Sequence, residues 1–388
     1  MAEEFQEIGH SGGKITFTVA TDESGHRTYQ VGFSSRRPVP VVLIGVYATW
    51  DGIPFAHMSF SGIGGPSENP PPGGLPVQIA SDSEGKFGHN CPRCKRYWRS
   101  GPHSNRCPYC AFSAPSYAFL SDAQRRYVRR YCDVLGTALD AEEDSEVVID
   151  MDEVADAVGK EGEKPAFFVS EKSQQHKFVC KECEEFNDIL GRFGYCSCCG
   201  TRNDLQDFED TTIPGIRIRL NAGHAPEDCV RDAVAAFDSF MAQLAAELVK
   251  FIPMTGRRKH RLLKQSFHDL ADVKQTFAQW FDVDIYVGMK EVECASVARM
   301  FQRRHVYEHN AGVVDQGYLD KTQDTSVVLG QRIRETQEGA HDFLNSLVKM
   351  ARNLHSWFQE LFPPLDAPIR AFQEKKSRMA MHEAEWKR

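Results

Sequence analysis

Two groups of side chains in this 388-residue chain have the types and spacing to do chemistry. The first is the stretch Phe301–Gly317, FQRRHVYEHNAGVVDQG, which closes an apolar, helix-patterned segment and then turns polar. Four residues separate Arg304 from His309. If the helix continues, five steps of about 100° set the two side chains roughly 140° apart, near enough to flank one groove at a helix end. A guanidinium that stays charged can hold a phosphate, and an imidazole titrating near neutrality can move a proton. Those are the requirements for cutting RNA without a metal: a base for the ribose 2′-OH and a cation to offset charge on the phosphorane. Arg303, His305 and Asn310 are placed to orient substrate or the histidine, and Asp315 either helps them or caps a loop. Spacing alone does not single out this pair, because Arg219/His224, Arg261/His268 and Arg334/His341 have similar separations.

The second group is cysteine. Cys91-Pro-Arg-Cys94 and Cys107-Pro-Tyr-Cys110 form two Cys-x-x-Cys knuckles twelve residues apart, and Cys180-Lys-Glu-Cys183 and Cys196-Ser-Cys-Cys199 repeat that gap. Each tight turn offers two sulfurs, and a short hairpin brings two turns together around a tetrahedral zinc. Two structural zinc ions are expected, one per ribbon. The repeated spacing suggests an internal duplication. Cys198 competes with its neighbours, and analogy with Cys107/Cys110 selects Cys196 and Cys199. Tyr97, Trp98 and Arg99 are expected to pack over the first metal site, although they could stack on a base. Asn187, Asp188, Arg192, Phe193 and Tyr195 on the second hairpin make a candidate recognition surface. Cys132 stands alone and reads as a small buried hydrophobe.

Arg304-His305-x-x-x-His309-Asn310, followed by Gly312 and Val-Val-Asp, resembles the HEPN family of helical bundles over roughly 226–361. The second position of that signature is often Asn, and here it is His305. The resemblance implies an all-α up-and-down four-helix bundle and a metal-independent endoribonuclease working as a homodimer. His309 would transfer the proton, Arg304 would bind phosphate, and the product would be a 2′,3′-cyclic phosphate. One His cannot easily be base and acid at once, so the dimer would face two copies of His309 across a shared groove. Such an effector acts as a toxin or in antiviral defence. The alternatives are a catalytically inactive nucleotide- or nucleic-acid-binding sensor, and a zinc-ribbon scaffold whose bundle only dimerises.

The rest of the chain must position these groups. Segments 14–20, 28–34, 39–48 and 54–60 are rich in Val, Ile, Phe and Thr between turn residues, and predict a small antiparallel β domain over 1–80. Residues 61–76 read as a Gly/Pro linker. Zinc ribbon 1 occupies 81–120. Region 121–165 combines a helix over 121–139, capped by Ser121 or Asp122, with an acidic tract. That tract, 140–163, carries 11 acidic residues against one Lys, which more than accounts for the net charge of −8. A short helix is possible at 151–158. Ribbon 2 and flanking strands, including 211–220, fill 166–222. Helices over about 226–251, 257–281, 289–309 and 331–361 make the bundle of 223–363, and 364–388 is a tail helix suited to association. The fold class expected is multidomain α+β. The basic cluster Arg257, Arg258, Lys259, Arg261 and Lys264 stands out against an otherwise balanced C-terminal half. The longest apolar run, 41–48, is far too short to cross a bilayer. With an acidic, non-apolar start, the chain is expected to be cytoplasmic, to act on RNA, and to have no membrane partner.

Overall fold

A computed structural model describes residues 13–34, 42–59, 70–81, 84–140, 144–150, 153 and 175–386. The short helix expected at 151–158 and residues 61–69 of the Gly/Pro stretch lie outside the described residues, apart from Glu153. The chain divides into two compact units, residues 1–201 with 364–388, and residues 202–363.

The first unit begins with strands β1 (Lys14–Thr21), β2 (Arg27–Ser34), β3 (Leu43–Ala48), β4 (Pro54–Met58) and β5 (Leu75–Ala80). They form two antiparallel three-stranded sheets, in orders β2-β1-β8 and β4-β3-β5. The third strand of the first sheet, β8 (Ser145–Asp150), comes from inside the acidic tract, with Ile149 paired to Ile15. Its six residues, SEVVID, put Val147 and Ile149 on the inner face while carboxylates flank them, so charge hid a strand signal. Strand β5 was likewise missed beside the Gly/Pro run. Along β1, Ile15, Phe17 and Val19 are buried while alternate residues are not, the period of a half-buried strand.

Helix α1 (Asp122–Asp140) closes this core with Tyr127, Val128, Tyr131, Cys132 and Val134. Each large apolar side chain taken fully out of water stabilises by about 1.5–3 kcal/mol. Residues of the 121–140 helix therefore contribute to the β domain's core. Ser121 caps the helix reciprocally: its Oγ accepts from the Gln124 N–H at 3.3 Å, and Gln124 Oε1 accepts from the Ser121 N–H at 2.9 Å. Cys132 is buried as expected.

The same unit contains a four-stranded antiparallel sheet, ordered β6-β7-β10-β9, built from β6 (Phe87–Asn90), β7 (Tyr97–Ser100), β9 (Gln175–Val179) and β10 (Phe186–Leu190). The two ribbons, expected as separate modules, share this one sheet. The tail folds onto the second of them.

The second unit is helical. It starts with α2 (Asp204–Asp207), a π-turn at Phe208–Thr212 and α3 (Ile213–Asn221), so the strand expected at 211–220 is a helix. The run Ile-Pro-Gly-Ile-Arg-Ile-Arg-Leu looks alternating. Ile213, Ile216 and Leu220 nevertheless bury at helical spacing, Ile218 faces solvent, and the Pro sits in the first turn. Helix α4 (Pro226–Phe251) lies at the centre and packs against α3, α5, α7 and α9. Its buried stripe runs from Val230 through Phe237 and Met241 to Leu248.

The second helix of the expected bundle is two pieces, α5 (Gly256–Lys264) and α6 (Leu270–Phe281). Phe267 anchors the break in the core, Asp269 caps α6, and Leu262 is buried while the adjacent Leu263 faces out. Helix α7 (Glu291–His309) carries the polar stretch, a short α8 (Gln316–Thr322) follows, and α9 (Gln337–Leu361) completes the core with Phe343, Leu347, Leu354 and Phe358. Among the described residues, no helix is long and apolar enough to cross a membrane.

Candidate functional site

The cysteines converge into two four-sulfur clusters, Cys91/Cys94/Cys107/Cys110 and Cys180/Cys183/Cys196/Cys199, whose Sγ atoms lie within 4.8 Å of one another. Cys198 is outside the second set, as the analogy with the first set required. Sγ atoms stand 3.6 Å apart in Cys91–Cys110, 3.7 Å in Cys94–Cys107, 3.7 Å in Cys180–Cys199 and 3.5 Å in Cys183–Cys196. Four thiolates about 2.3 Å from one tetrahedral ion stand about 3.8 Å apart, so both donor sets are compatible with zinc. Each knuckle turns through a residue at positive φ: Lys95, Ala111, Glu184 and Gly200. At Gly200 (φ +83°) a Cβ would also meet the Arg106 guanidinium at 2.6 Å, so both backbone and space favour glycine there.

Every ligand of the second set stands 89 positions after its counterpart (91 and 180, 94 and 183, 107 and 196, 110 and 199). The two copies meet across a local two-fold axis. Asn187 pairs with Ser100 and Asp188 with Arg99, and residues 99 and 188 are the same position of the repeat. Away from the axis, the Arg106 N–H donates to Ser197 O at 2.9 Å, and its counterpart, the Tyr195 N–H, donates to Pro108 O at 2.9 Å. Identical residues at the axis would oppose like charges. Instead, Arg99 lies 3.9 Å from Asp188 and 2.6 Å from Glu84, with both axial side chains buried.

Burial pushes the Asp188 carboxyl up to about 6, against the pull of Lys177 and Arg99. Trp98 is fully buried, stacked on His89 and edge-on to Phe119, so the Tyr97-Trp98-Arg99 segment packs as expected. Asn187 and Asp188, expected on a recognition surface, are interior because β10 lies between β7 and β9, and Tyr195 beyond β10 is buried as well. The tail, α10 (Asp366–Trp386), is tied to this module. The Leu365 N–H donates to Cys199 O at 2.7 Å, Ile369 packs on the second cluster, and Lys375 reaches Glu184 at 2.9 Å.

The polar stretch ends α7, with His309 as its last residue. His305 and His309, one turn apart on a helix, are both exposed and place their rings 4.6 Å apart. Arg304 is half-buried. Its Nε is buried without a hydrogen-bond partner, and among the described residues no carboxylate engages it. Partial burial, then the nearby His309, Lys321 and Arg304, hold the His305 imidazole below the usual histidine range.

Asn310 leaves the helix and donates to Asp315 Oδ2 at 2.8 Å, while Asp315 Oδ1 accepts from the Tyr318 N–H at 2.7 Å. Asp315 is thus a cap for α8. Arg303 takes a structural part. It donates to Tyr318 Oη at 3.1 Å, to both Glu335 oxygens at 3.1 Å, to Asp324 Oδ2 at 2.9 Å and to Ser326 Oγ at 3.3 Å. These bonds occupy every donor nitrogen, so Arg303 pins α7 to the loop before α9 and is not available to orient substrate. Burial alone would raise the Asp324 carboxyl, but hydrogen bonds from Ser326, Tyr318 and Arg303 outweigh it and hold Asp324 far below the usual carboxylate range.

Two features of the site were not drawn from the sequence. The i, i+4 spacing of His305 and His309 predicts a side-chain contact and was readable. The partners of Arg303 lie 21 and 32 residues away, with no local signal. Compared with known proteins, the chain matches no family model, no curated protein and no solved structure.

Proposed function

We propose that the helical unit is a metal-independent endoribonuclease, and that the two cysteine clusters hold structural zinc. The observation that carries this reading is the pair of exposed imidazoles 4.6 Å apart beside the unpaired Arg304. His305, biased toward its neutral form, accepts the ribose 2′-OH proton as the 2′-oxygen attacks phosphorus. The bond from phosphorus to the 5′-oxygen breaks, and protonated His309 returns a proton to that oxygen. The products are a 2′,3′-cyclic phosphate and a free 5′-OH. Arg304 offsets the charge that builds on the phosphorane.

The motif alone called for a second protomer to supply a second imidazole. His305 supplies one within the same chain, so a two-fold assembly facing two such helix ends would double the site rather than complete it. An enzyme of this kind serves as a toxin-like or defence effector. Expression should then arrest growth, and Arg304→Ala should relieve the arrest.

The direct test is incubation of purified protein with structured RNA in EDTA. Cleavage should survive mild chelation and fall by about 10²–10⁴-fold in His309→Ala, the usual range for a lost acid or base. Intact RNA with the wild-type chain would refute the nuclease. It would leave the second reading, a catalytically inactive binding protein of the same scaffold.

A further inference from the structure

The basic helix α5 (Gly256–Lys264, GRRKHRLLK) has no part in the chemistry above. Only Leu262 of its nine residues is buried. Arg257, Arg258 and Lys264 are exposed and Lys259 is half-exposed, and among the described residues none of the four has a carboxylate partner. Arg261 alone is paired, with Asp272 at 3.3 Å.

Two details set this helix apart from an ordinary solvated face. Its first turn holds Arg257 and Arg258 and no acidic residue, so two cations sit at the positive end of the helix dipole, where they destabilise it. Thr255 still caps that end, accepting from the Arg258 N–H at 3.4 Å, so the helix forms despite the charge. Second, the Arg258 and Arg261 guanidiniums both lie over the Trp280 ring, 5.3 Å from its centroid. An aromatic face that holds two guanidiniums fixes their planes and lowers the entropy lost when they bind an anion. A sequence that keeps locally unfavourable, unpaired charge in an ordered element marks a functional surface.

We infer that α5 is a docking surface for the sugar–phosphate backbone of nucleic acid. The choice of RNA as the physiological strand rests on the nuclease reading. A basic face without a counter-charge gains affinity by releasing counterions from a polyanion, whatever the base sequence.

The test is fluorescence anisotropy with a labelled single-stranded RNA and the matching DNA, using full-length His309→Ala so that RNA stays intact. The variant Arg257→Gln/Lys259→Gln/Lys264→Gln in that background removes three charges without carboxylate partners and leaves Leu262 in place. Circular dichroism and thermal melting confirm that it folds. Three phosphate contacts at about 0.7 per charge predict a salt-dependence slope shallower by about 2, and affinity lower by about 10- to 100-fold at 0.1 M salt. Reverting position 257 to Arg should recover part of both.

Unchanged affinity and slope in the triple variant would overturn the inference, as would failure of the wild-type surface to bind either strand. Equal binding of polyglutamate with loss in the triple variant would also overturn it and assign α5 to an acidic protein. RNA bound through α5 but never cut by the wild-type chain would support this inference while removing the nuclease.

Discussion

Replacing Arg303 with Met should remove the cation that holds two buried carboxylates, Asp324 and Glu335, whose side chains are 1% and 5% exposed. Asp324 would keep its bonds from Tyr318 and Ser326, and Glu335 its bond from Tyr307, so the loss is electrostatic more than a loss of packing. Breaking a buried ion pair from one side costs about 3–5 kcal/mol, and Arg299, 4.0 Å from Asp324 Oδ1, offsets only part of the charge left behind. For a unit of this size that is a fall in Tm of roughly 6–20 °C, readable by helical circular dichroism and urea unfolding.

Two further readouts separate charge from packing. The triple variant Arg303→Met/Asp324→Asn/Glu335→Gln should recover more than half of the loss, since neutral groups of similar volume need no cation. The pH dependence also has a fixed sign. The Asp324 pKa is held below its unfolded value, so this carboxylate contributes stability above about pH 4 that is lost as the pH falls. The gap between wild type and Arg303→Met should therefore narrow on acidification below about pH 4. A loss under about 1 kcal/mol, or a gap that ignores pH and is not closed by the triple variant, would refute the view of Arg303 as the clamp on the end of α7.

Three other outcomes are expected. Asp188 has a folded pKa raised to about 6, so its ionisation destabilises the fold as pH rises from about 4 through 6. Asp188→Asn should flatten that part of the stability curve and stabilise the chain near pH 7.5 by very roughly 2–3 kcal/mol, measured by urea midpoints. Elemental analysis of the purified protein should give two zinc ions per chain, and a strong chelator or Cys107→Ser should lower the melting temperature of the ribbon unit. If His305 is the base and His309 the acid, cleavage rate against pH should be bell-shaped. Its rising limb should lie below the usual histidine pKa because His305 is lowered, and His305→Asn should abolish that limb while RNA binding persists.

Much of this molecule was written locally. Four-cysteine spacing named both four-sulfur clusters and even the choice of Cys199 over Cys198, because a knuckle is a short turn whose sulfurs depend on its own few residues. Residue type and turn residues placed strands β1 to β4 and the cap of α1, and apolar helical spacing placed the long helices α4, α7 and α9. Where local signals competed, the sequence misled. Residues 211–220 alternate like a strand but pack as α3, β8 is hidden among carboxylates, and α5 and α6 were joined across Phe267.

What tertiary structure alone decided is which distant groups meet. Two hairpins 89 residues apart in sequence fuse into one sheet, with Arg99 against Asp188 on the axis. The tail helix docks on the second cysteine cluster, and Arg303 is claimed by Asp324 and Glu335 while its neighbour Arg304 is left unpaired. A residue type fixes what a side chain can bond to. Only chain packing fixes which partner reaches it first, and a charge already satisfied by its own fold has none left to offer a substrate.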